Sequence, residues 1–162
     1  MPGSDAKADP PIHVTIRSAE KADRWLIIRR VLREGLDPTK LDWRRFVVAE
    51  TEAGEILGIA QMKDLGDSVQ EFGSLIVEAA ARGQGIGAAL IRHLVSASTA
   101  PVYLLCGERN VDYYLRFGFR ELLESEMPAP LRRKWRAGNF FARRLGTRVA
   151  AMIFDETNSQ QP

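Results

Sequence analysis

The chain has 162 residues, of which 45% are hydrophobic and 27% charged, and its formal net charge is +2. This length suits one domain with a real core, and the small net charge gives no reason to expect a nucleic-acid partner. One cysteine excludes an internal disulfide, and with only two histidines we expect no metal centre. No apolar run is long enough to span a membrane and no signal peptide is visible, so we expect a cytoplasmic protein without a membrane partner.

The first part of the chain predicts a strand and an amphipathic helix. Residues 1–11 are polar and contain several prolines, which predicts a disordered leader. His13–Arg17 alternates between apolar and polar residues and predicts the first strand. A helix follows, with Ser18 as its cap and Gly35 as its stop. Its predicted apolar stripe consists of Ala22, Trp25, Ile28 and Leu32.

Three strands then follow one another and are separated by turn residues. They are predicted at Arg45–Glu50, Ile56–Leu65 and Val69–Val77. Strands joined by short turns form antiparallel pairs, so the sequence predicts an α+β protein and not a regular alternation of strand and helix.

The second half of the chain predicts further helices and strands. They are a helix from Ala88, a strand at Val102–Cys106, a helix at Asn110–Phe117, a basic helical stretch and a closing strand at Thr147–Phe154. We expect a single domain over residues 12–155 and a flexible tail over residues 156–162.

A glycine-rich loop joins the third of these consecutive strands to the next helix. Leu75, Ile76 and Val77 form an apolar strand end, and the helix opens with Arg82-Gly83-Gln84-Gly85-Ile86-Gly87. Glycines at alternate positions weaken a helix start unless a ligand has to approach the backbone. The free N–H groups of a first helical turn favour an anion, and the missing Cβ atoms let a phosphate come close. The loop therefore predicts a phosphate site, with Arg82 as a cation at its rim.

Two common phosphate motifs do not match this loop. No Gly-Lys-Ser/Thr follows, which excludes a P-loop, and the spacing is G-x-G-x-G where a dinucleotide fold needs G-x-G-x-x-G. The loop instead resembles the R/Q-x-x-G-x-G/A pyrophosphate loop of the GNAT superfamily, the Gcn5-related N-acetyltransferases. A second GNAT-like motif follows in the family's order after one strand, with Asn110, Tyr113-Tyr114 and Gly118-Phe119 at its positions.

The resemblance implies a fold and a cofactor. The fold is a mostly antiparallel mixed sheet that splays between its fourth and fifth strands and is flanked by helices. The cofactor is acetyl-CoA, whose pyrophosphate the loop binds and whose pantetheine arm pairs with the end of the fourth strand. The implied cofactor-binding residues are Leu75, Ile76, Val77, Arg82, Gly83, Gln84, Gly85, Ile86, Gly87, Asn110 and Tyr114.

Two residues are candidates for proton transfer. The resemblance places Tyr114 where the family has its general acid, because a phenol can protonate the leaving thiolate; the alternative is that Tyr113 and Tyr114 only pack the helix. Glu71, in the fourth strand, is the candidate base for the acceptor amine, and the alternative is an exposed strand glutamate. Cys106 offers a covalent route, but a small buried apolar residue is the preferred interpretation.

The acceptor is suggested by a narrower resemblance. The chain from the fourth strand onward is similar to the acetyltransferase domain of the N-acetylglutamate synthases, where arginines hold the carboxylates of the acceptor. Arg109 matches a motif arginine and is the candidate substrate-binding residue. We therefore expect an N-acetyltransferase that acts on a small amine or amino acid and that forms a homodimer. A protein lysine or N-terminal acetyltransferase and a non-catalytic acyl-CoA-binding module are the alternatives.

Overall fold

The computed structural model describes residues 12–38 and 41–154, so the leader predicted at 1–11 and the tail predicted at 156–162 lie outside the described residues. The strands are β1 (Val14–Ser18), β2 (Phe46–Thr51), β3 (Ile56–Asp64), β4 (Gln70–Val77), β5 (Val102–Gly107), β6 (Phe119–Glu121) and β7 (Val149–Phe154). The α-helices are α1 (Arg24–Arg33), α2 (Ile86–Ser96), α3 (Val111–Leu115) and α4 (Ala129–Arg144). None of the helices in these ranges is both long and apolar enough to cross a bilayer.

The strands of the described ranges form a single mixed sheet in the order β1-β2-β3-β4-β5-β7-β6. Neighbours pair antiparallel throughout except β4 and β5, which are parallel. The predicted α+β class and the mostly antiparallel mixed sheet are thus confirmed. The final strand does not lie at the edge of the sheet, because β7 is inserted between β5 and β6.

The sheet splays between β4 and β5, as predicted. Only Gln70–Phe72 of β4 pair with β5, opposite Val102–Leu104, although both strands continue further. A bulge lies just beyond the last pair, where the β3–β4 register shifts between Ile59 and Gln61 and Ser74 has a φ of 53°. A bulge bends its strand and increases the local twist, which turns the end of β4 away from β5. Within the described residues, the rest of β4, from Gly73 to Val77, therefore has a free edge about 16 Å long.

Helices cover both faces of the sheet. On one face, α2 packs over β3 and β4, and its Leu90 and Ile91 join Phe72 and Leu104 in the largest buried cluster. On the other face, α1 covers β2 to β4, and α4 packs on β5 and β7 through Leu131. Successive residues along β4, and likewise along β5, therefore point to opposite faces of the sheet and to different helices.

The apolar stripe predicted for α1 was wrong. Trp25 is 71% exposed and Leu32 is also exposed, whereas Ile27, Arg30 and Val31 are buried. The reason is that Arg30 belongs to the buried face, where it donates to the Ile56 carbonyl at 2.7 Å and pairs with Glu78 at 2.8 Å. A search for apolar spacing cannot include a buried arginine, so it selects the opposite side of the helix.

Candidate active site

The glycine loop and the start of α2 line an open cleft of ≈ 610 Å³. Gly83 and Gly85 have φ values of +80° and +81°, and a Cβ at either position would meet nothing within 4 Å. Glycine is therefore favoured at both positions by the left-handed backbone conformation and not by a lack of space for a side chain. Gly85 is the N-cap of α2 and has no side chain to accept from the first turn. The helix therefore begins at the wall of the cleft, and no capping side chain accepts a hydrogen bond from the N–H groups of Ile86 and Gly87.

Gly87 has a different role from its two neighbours in the motif. A Cβ at Gly87 would lie 2.7 Å from the hydroxyl oxygen of Tyr113, which is closer than such contacts occur. Glycine at this position therefore lets the Tyr113 phenol pack against the first turn of α2. Tyr113, for which packing was one interpretation, brings its hydroxyl to the loop.

Arg82 connects the loop to the end of β4. Its Nε donates to the Val77 carbonyl oxygen at 3.0 Å, and among the described residues it has no carboxylate partner. Glu78 donates its N–H to Leu57 on the β3 side, so Val77 directs its own N–H and carbonyl to the free edge of β4. Arg82 thus occupies one of the two Val77 groups that were expected to pair with the pantetheine arm. Gln84, also assigned to the cofactor, accepts a hydrogen bond from the Ile12 backbone at 2.9 Å.

Two further arginines that the sequence analysis did not identify line the same cleft. Arg92 lies on α2 and Arg116 directly follows α3. The Arg92 guanidinium is 5.7 Å from the centre of the Phe117 ring, and that of Arg116 is 5.1 Å from the Tyr113 ring. The available sequence signal was the position of Arg116 three residues after Tyr113, which places them on one side of a helix.

Tyr114 lies where β4 and β5 separate. Its ring contacts Phe72, the last β4 residue paired with β5, with the ring centres 6.3 Å apart. Phe119 packs on it at 5.9 Å. Burial raises the pKa of Tyr114 well above its ordinary value, so the phenol keeps its proton at neutral pH. Within the described ranges no residue accepts a hydrogen bond from its hydroxyl.

Cys106 is close to Tyr114 but is not an activated nucleophile. It is buried, and its Sγ lies 3.9 Å from the sulfur of Met152. Burial raises the pKa of the Cys106 thiol to about 11, which keeps it protonated at pH 7. A thiol in this state suits packing and not attack on a thioester.

Glu71 lies on the opposite face of the sheet from Tyr114 and is 4% exposed, so the interpretation as an exposed strand glutamate was wrong. Both of its oxygens accept from Lys134 of α4, at 2.6 and 2.9 Å. Asp37 binds the same ammonium at 2.7 Å and also pairs with buried Lys63 at 3.0 Å. We call these four residues the ionic cluster. Burial alone would lower the pKa of Lys134, but the attraction of Glu71 and Asp37 outweighs it and raises that pKa.

Arg109 and Asn110 lie on the short turn that joins β5 to α3. Both are exposed, and no carboxylate in the described part of the chain pairs with Arg109. Asn110 begins α3 without a side-chain capping bond. The structure thus places the glycine loop beyond the end of β4 and Arg109 beyond the end of β5, while Tyr114, which contacts Phe72, and Glu71 lie at successive positions near the start of β4.

Comparison with protein families and known structures identifies the fold. The family model for the acetyltransferase (GNAT) domain matches residues 42–121, about half of the chain and the part that holds the loop and Tyr114. A search of curated proteins by sequence found no match.

Solved structures share this architecture at low sequence identity. N-acetylglutamate synthase from Neisseria gonorrhoeae, complexed with coenzyme A and N-acetyl-glutamate, has a TM-score of 0.69 and 21% identity over 87% of this chain. The match covers only 34% of that enzyme. Rv2747 of Mycobacterium tuberculosis, in complex with CoA, has a TM-score of 0.67 and 20% identity over 86% of this chain and 98% of its own. A GCN5-related N-acetyltransferase from Kribbella flavida has a TM-score of 0.59 and 22% identity, with coverage of 86% and 96%. Residues 42–121 of this chain thus belong to an acetyltransferase domain of the GNAT superfamily.

Proposed function

We propose that the protein transfers the acetyl group of acetyl-CoA to the primary amine of a small molecule or amino acid, by direct attack in a ternary complex. The observation that carries this proposal is the separation of β4 from β5 beyond Phe72, with the ring of Tyr114 at the point of separation and the glycine-loop cleft at the far end of β4. An opening of this form suits a long thioester ligand with an anionic head group.

The cofactor would bind in three parts. The first-turn N–H groups of α2 and the Arg82 guanidinium would hold the pyrophosphate, because uncapped helix amides favour an anion. The pantetheine amides would pair with the free edge of β4, in the manner of an added strand. That edge is about 16 Å long, which carries the thioester from the loop to the bulge at Ser74. Coenzyme A is bound in the Neisseria and Mycobacterium structures, which supports this assignment.

The chemistry would proceed from the two faces of the sheet. The free amine attacks the thioester carbonyl carbon, a C–N bond forms, and the C–S bond breaks as the tetrahedral intermediate collapses. Tyr114 gives its proton to the leaving thiolate. The acceptor loses one proton before attack and another on collapse, and Glu71 is the proposed route for the first. One of these protons balances the one that Tyr114 supplies, and the other is released to solvent.

Glu71, the proposed base, shares its ammonium partner with a second carboxylate. Lys134 binds Asp37 at 2.7 Å as well as Glu71 at 2.6 Å. When Glu71 becomes neutral, the ammonium therefore keeps one carboxylate partner and is not left as an isolated buried charge.

The acceptor class follows from Arg109. An exposed arginine at the end of β5 can bind a carboxylate with two hydrogen bonds, which favours amino acids over simple amines. The similarity to the Neisseria N-acetylglutamate synthase supports the same class of acceptor.

The test is release of free thiol from acetyl-CoA in the presence of amino acids, arylalkylamines and lysine-containing peptides, with calorimetric titration of acetyl-CoA in parallel. We expect turnover with an amino acid and its loss in Arg109→Gln. Turnover only with peptides would replace the proposal by a protein acetyltransferase. Binding of acetyl-CoA without turnover on any acceptor would favour a non-catalytic acyl-CoA-binding module.

A further inference from the structure

Two arginines at the glycine-loop cleft have no role in the proposed chemistry. Arg92 and Arg116 are exposed, and neither takes part in an ion pair within residues 12–38 and 41–154. With Arg82 they give the wall of one cleft three guanidinium groups that no carboxylate of the described residues neutralises. Like charges at one site repel each other, so an anion that binds between them is stabilised.

Aromatic rings hold both side chains in place. The Arg92 guanidinium lies over the Phe117 ring, 5.7 Å from its centre, and that of Arg116 lies over the Tyr113 ring at 5.1 Å. Both guanidinium groups are near the Tyr113 phenol, since they oppose the rise in its pKa that burial causes. The same phenol touches the first turn of α2 at Gly87. Stacking restricts a guanidinium without using its N–H donors, which leaves those donors available to a ligand.

The two arginines also lie at a defined separation from the loop. Arg92 is six residues beyond Ile86 along α2, a rise of about 9 Å. A ligand that has one phosphate at the first turn therefore needs a second phosphate about one sugar unit away to reach Arg92.

We propose that Arg92 and Arg116 bind the 3′-phosphate of CoA, and this inference rests on the proposed function. CoA carries this phosphate monoester on the ribose that separates the pyrophosphate from the adenine. Two guanidinium groups can bind such a dianion with paired N–H donors, which a hydroxyl at the same position cannot match. The pair thus makes the protein specific for CoA against dephospho-CoA.

Calorimetric titration of the full chain with CoA and with dephospho-CoA tests the proposal. We expect the wild-type protein to bind CoA at least tenfold more tightly than dephospho-CoA. Arg92→Gln/Arg116→Gln should reduce this ratio to below threefold, by weakening CoA binding and leaving the dephospho-CoA Kd unchanged. Arg133→Gln on α4 removes one exposed charge on the other side of the sheet and should preserve the wild-type ratio.

The outcomes separate this inference from the proposed function. Equal affinity of the wild-type protein for the two ligands overturns the inference and leaves the proposed function standing. An equal loss of affinity for CoA and dephospho-CoA in the double variant also overturns it, because the arginines would then contact a part of CoA other than the 3′-phosphate. Failure of the wild-type protein to bind either ligand overturns the proposed function instead. If the glutamine variant does not fold, the wild-type ratio and the variant Arg92→Lys/Arg116→Lys decide the question. The lysine variant should retain part of the preference for CoA over dephospho-CoA.

Discussion

Glu71 and Tyr114 approach β4 from opposite faces of the sheet at successive positions of the strand. Tyr114 contacts the ring of Phe72, and Glu71, the preceding residue, is bound by Lys134 from the other face. A thioester held in the opening between β4 and β5 would therefore have the proposed acid on one side of the sheet and the proposed base on the other. This arrangement suits direct transfer, because the amine can enter opposite to the departing thiol.

Replacement of Tyr114 tests the acid. Tyr114→Phe should lower kcat about a hundredfold or more, because the thiolate loses its proton donor. The acetyl-CoA Kd should change less than twofold, since the ring remains and its hydroxyl has no partner in the described residues. Stopped-flow thiol release and calorimetry measure the two quantities. Tyr103→Phe, on the α4 side of β5, is the matched control and should retain wild-type kcat; a parallel loss of cofactor binding in Tyr114→Phe would contradict the acid role.

The ionisation of Tyr114 also predicts how stability depends on pH. Its pKa in the folded protein lies above the unfolded value of about 10, because burial favours the neutral phenol. The folded state then binds the proton more tightly than the unfolded state. The contribution of Tyr114 to the free energy of unfolding is therefore complete below pH 10 and decreases as the pH rises above it. Denaturant unfolding between pH 8 and 11 should show a smaller fall in Tyr114→Phe than in the wild-type protein. Identical slopes would mean that the phenol is solvated.

Replacement of Glu71 separates a base from a structural partner. Glu71→Gln should lower kcat about a hundredfold at pH 7, and the loss should shrink at higher pH as more of the amine is deprotonated in solution. Acetyl-CoA affinity should be unchanged. A loss of activity that is constant with pH and accompanied by a large drop in Tm would assign Glu71 to the stability of the ionic cluster alone.

Charge at the glycine loop should control cofactor binding. Gly85→Glu places a carboxylate where the pyrophosphate is proposed to bind and should abolish detectable acetyl-CoA binding. Gly85→Gln has nearly the same shape and the same strain at a φ of +81°, so it isolates the effect of charge. We expect Gly85→Gln to bind acetyl-CoA at least tenfold more tightly than Gly85→Glu in calorimetry. Equal affinities would remove the loop from the pyrophosphate site.

Loss of Lys134 should destabilise the fold. Lys134→Met leaves Glu71 buried without its closest ammonium, which costs about 3 kcal/mol when one partner of a buried pair is removed. Nearby Lys63 still interacts with Glu71, so we expect a cost no larger than this. In the double variant Glu71→Gln/Lys134→Met the buried charge is absent, so part of the stability should return. Urea denaturation measures the cycle, and additive losses would mean that the pair is not coupled.

The sequence predicted the local features of this protein better than the distant ones. The glycine loop could be found because its strained backbone and its helix start are encoded within a few residues, at Gly83 and Gly85. The ionic cluster could not, because Glu71 and Lys134 are 63 residues apart and only the packing of α4 brings them together. The arginine pair was missed because stacking on Phe117 and Tyr113, and not a motif, places it at the cleft.

The position of β7 between β5 and β6 has a consequence for synthesis on the ribosome. β5 pairs with β4 through only three residues, and its other edge pairs with residues 149–153 of β7. Until that late segment has emerged, the strand that supports Tyr114 and Arg109 has most of its backbone groups without partners. The glycine loop and its helix are encoded earlier, so the cofactor end can form first. Formation of the β5 end of the site is then the slower step, because it depends on pairing between strands that are distant in the sequence.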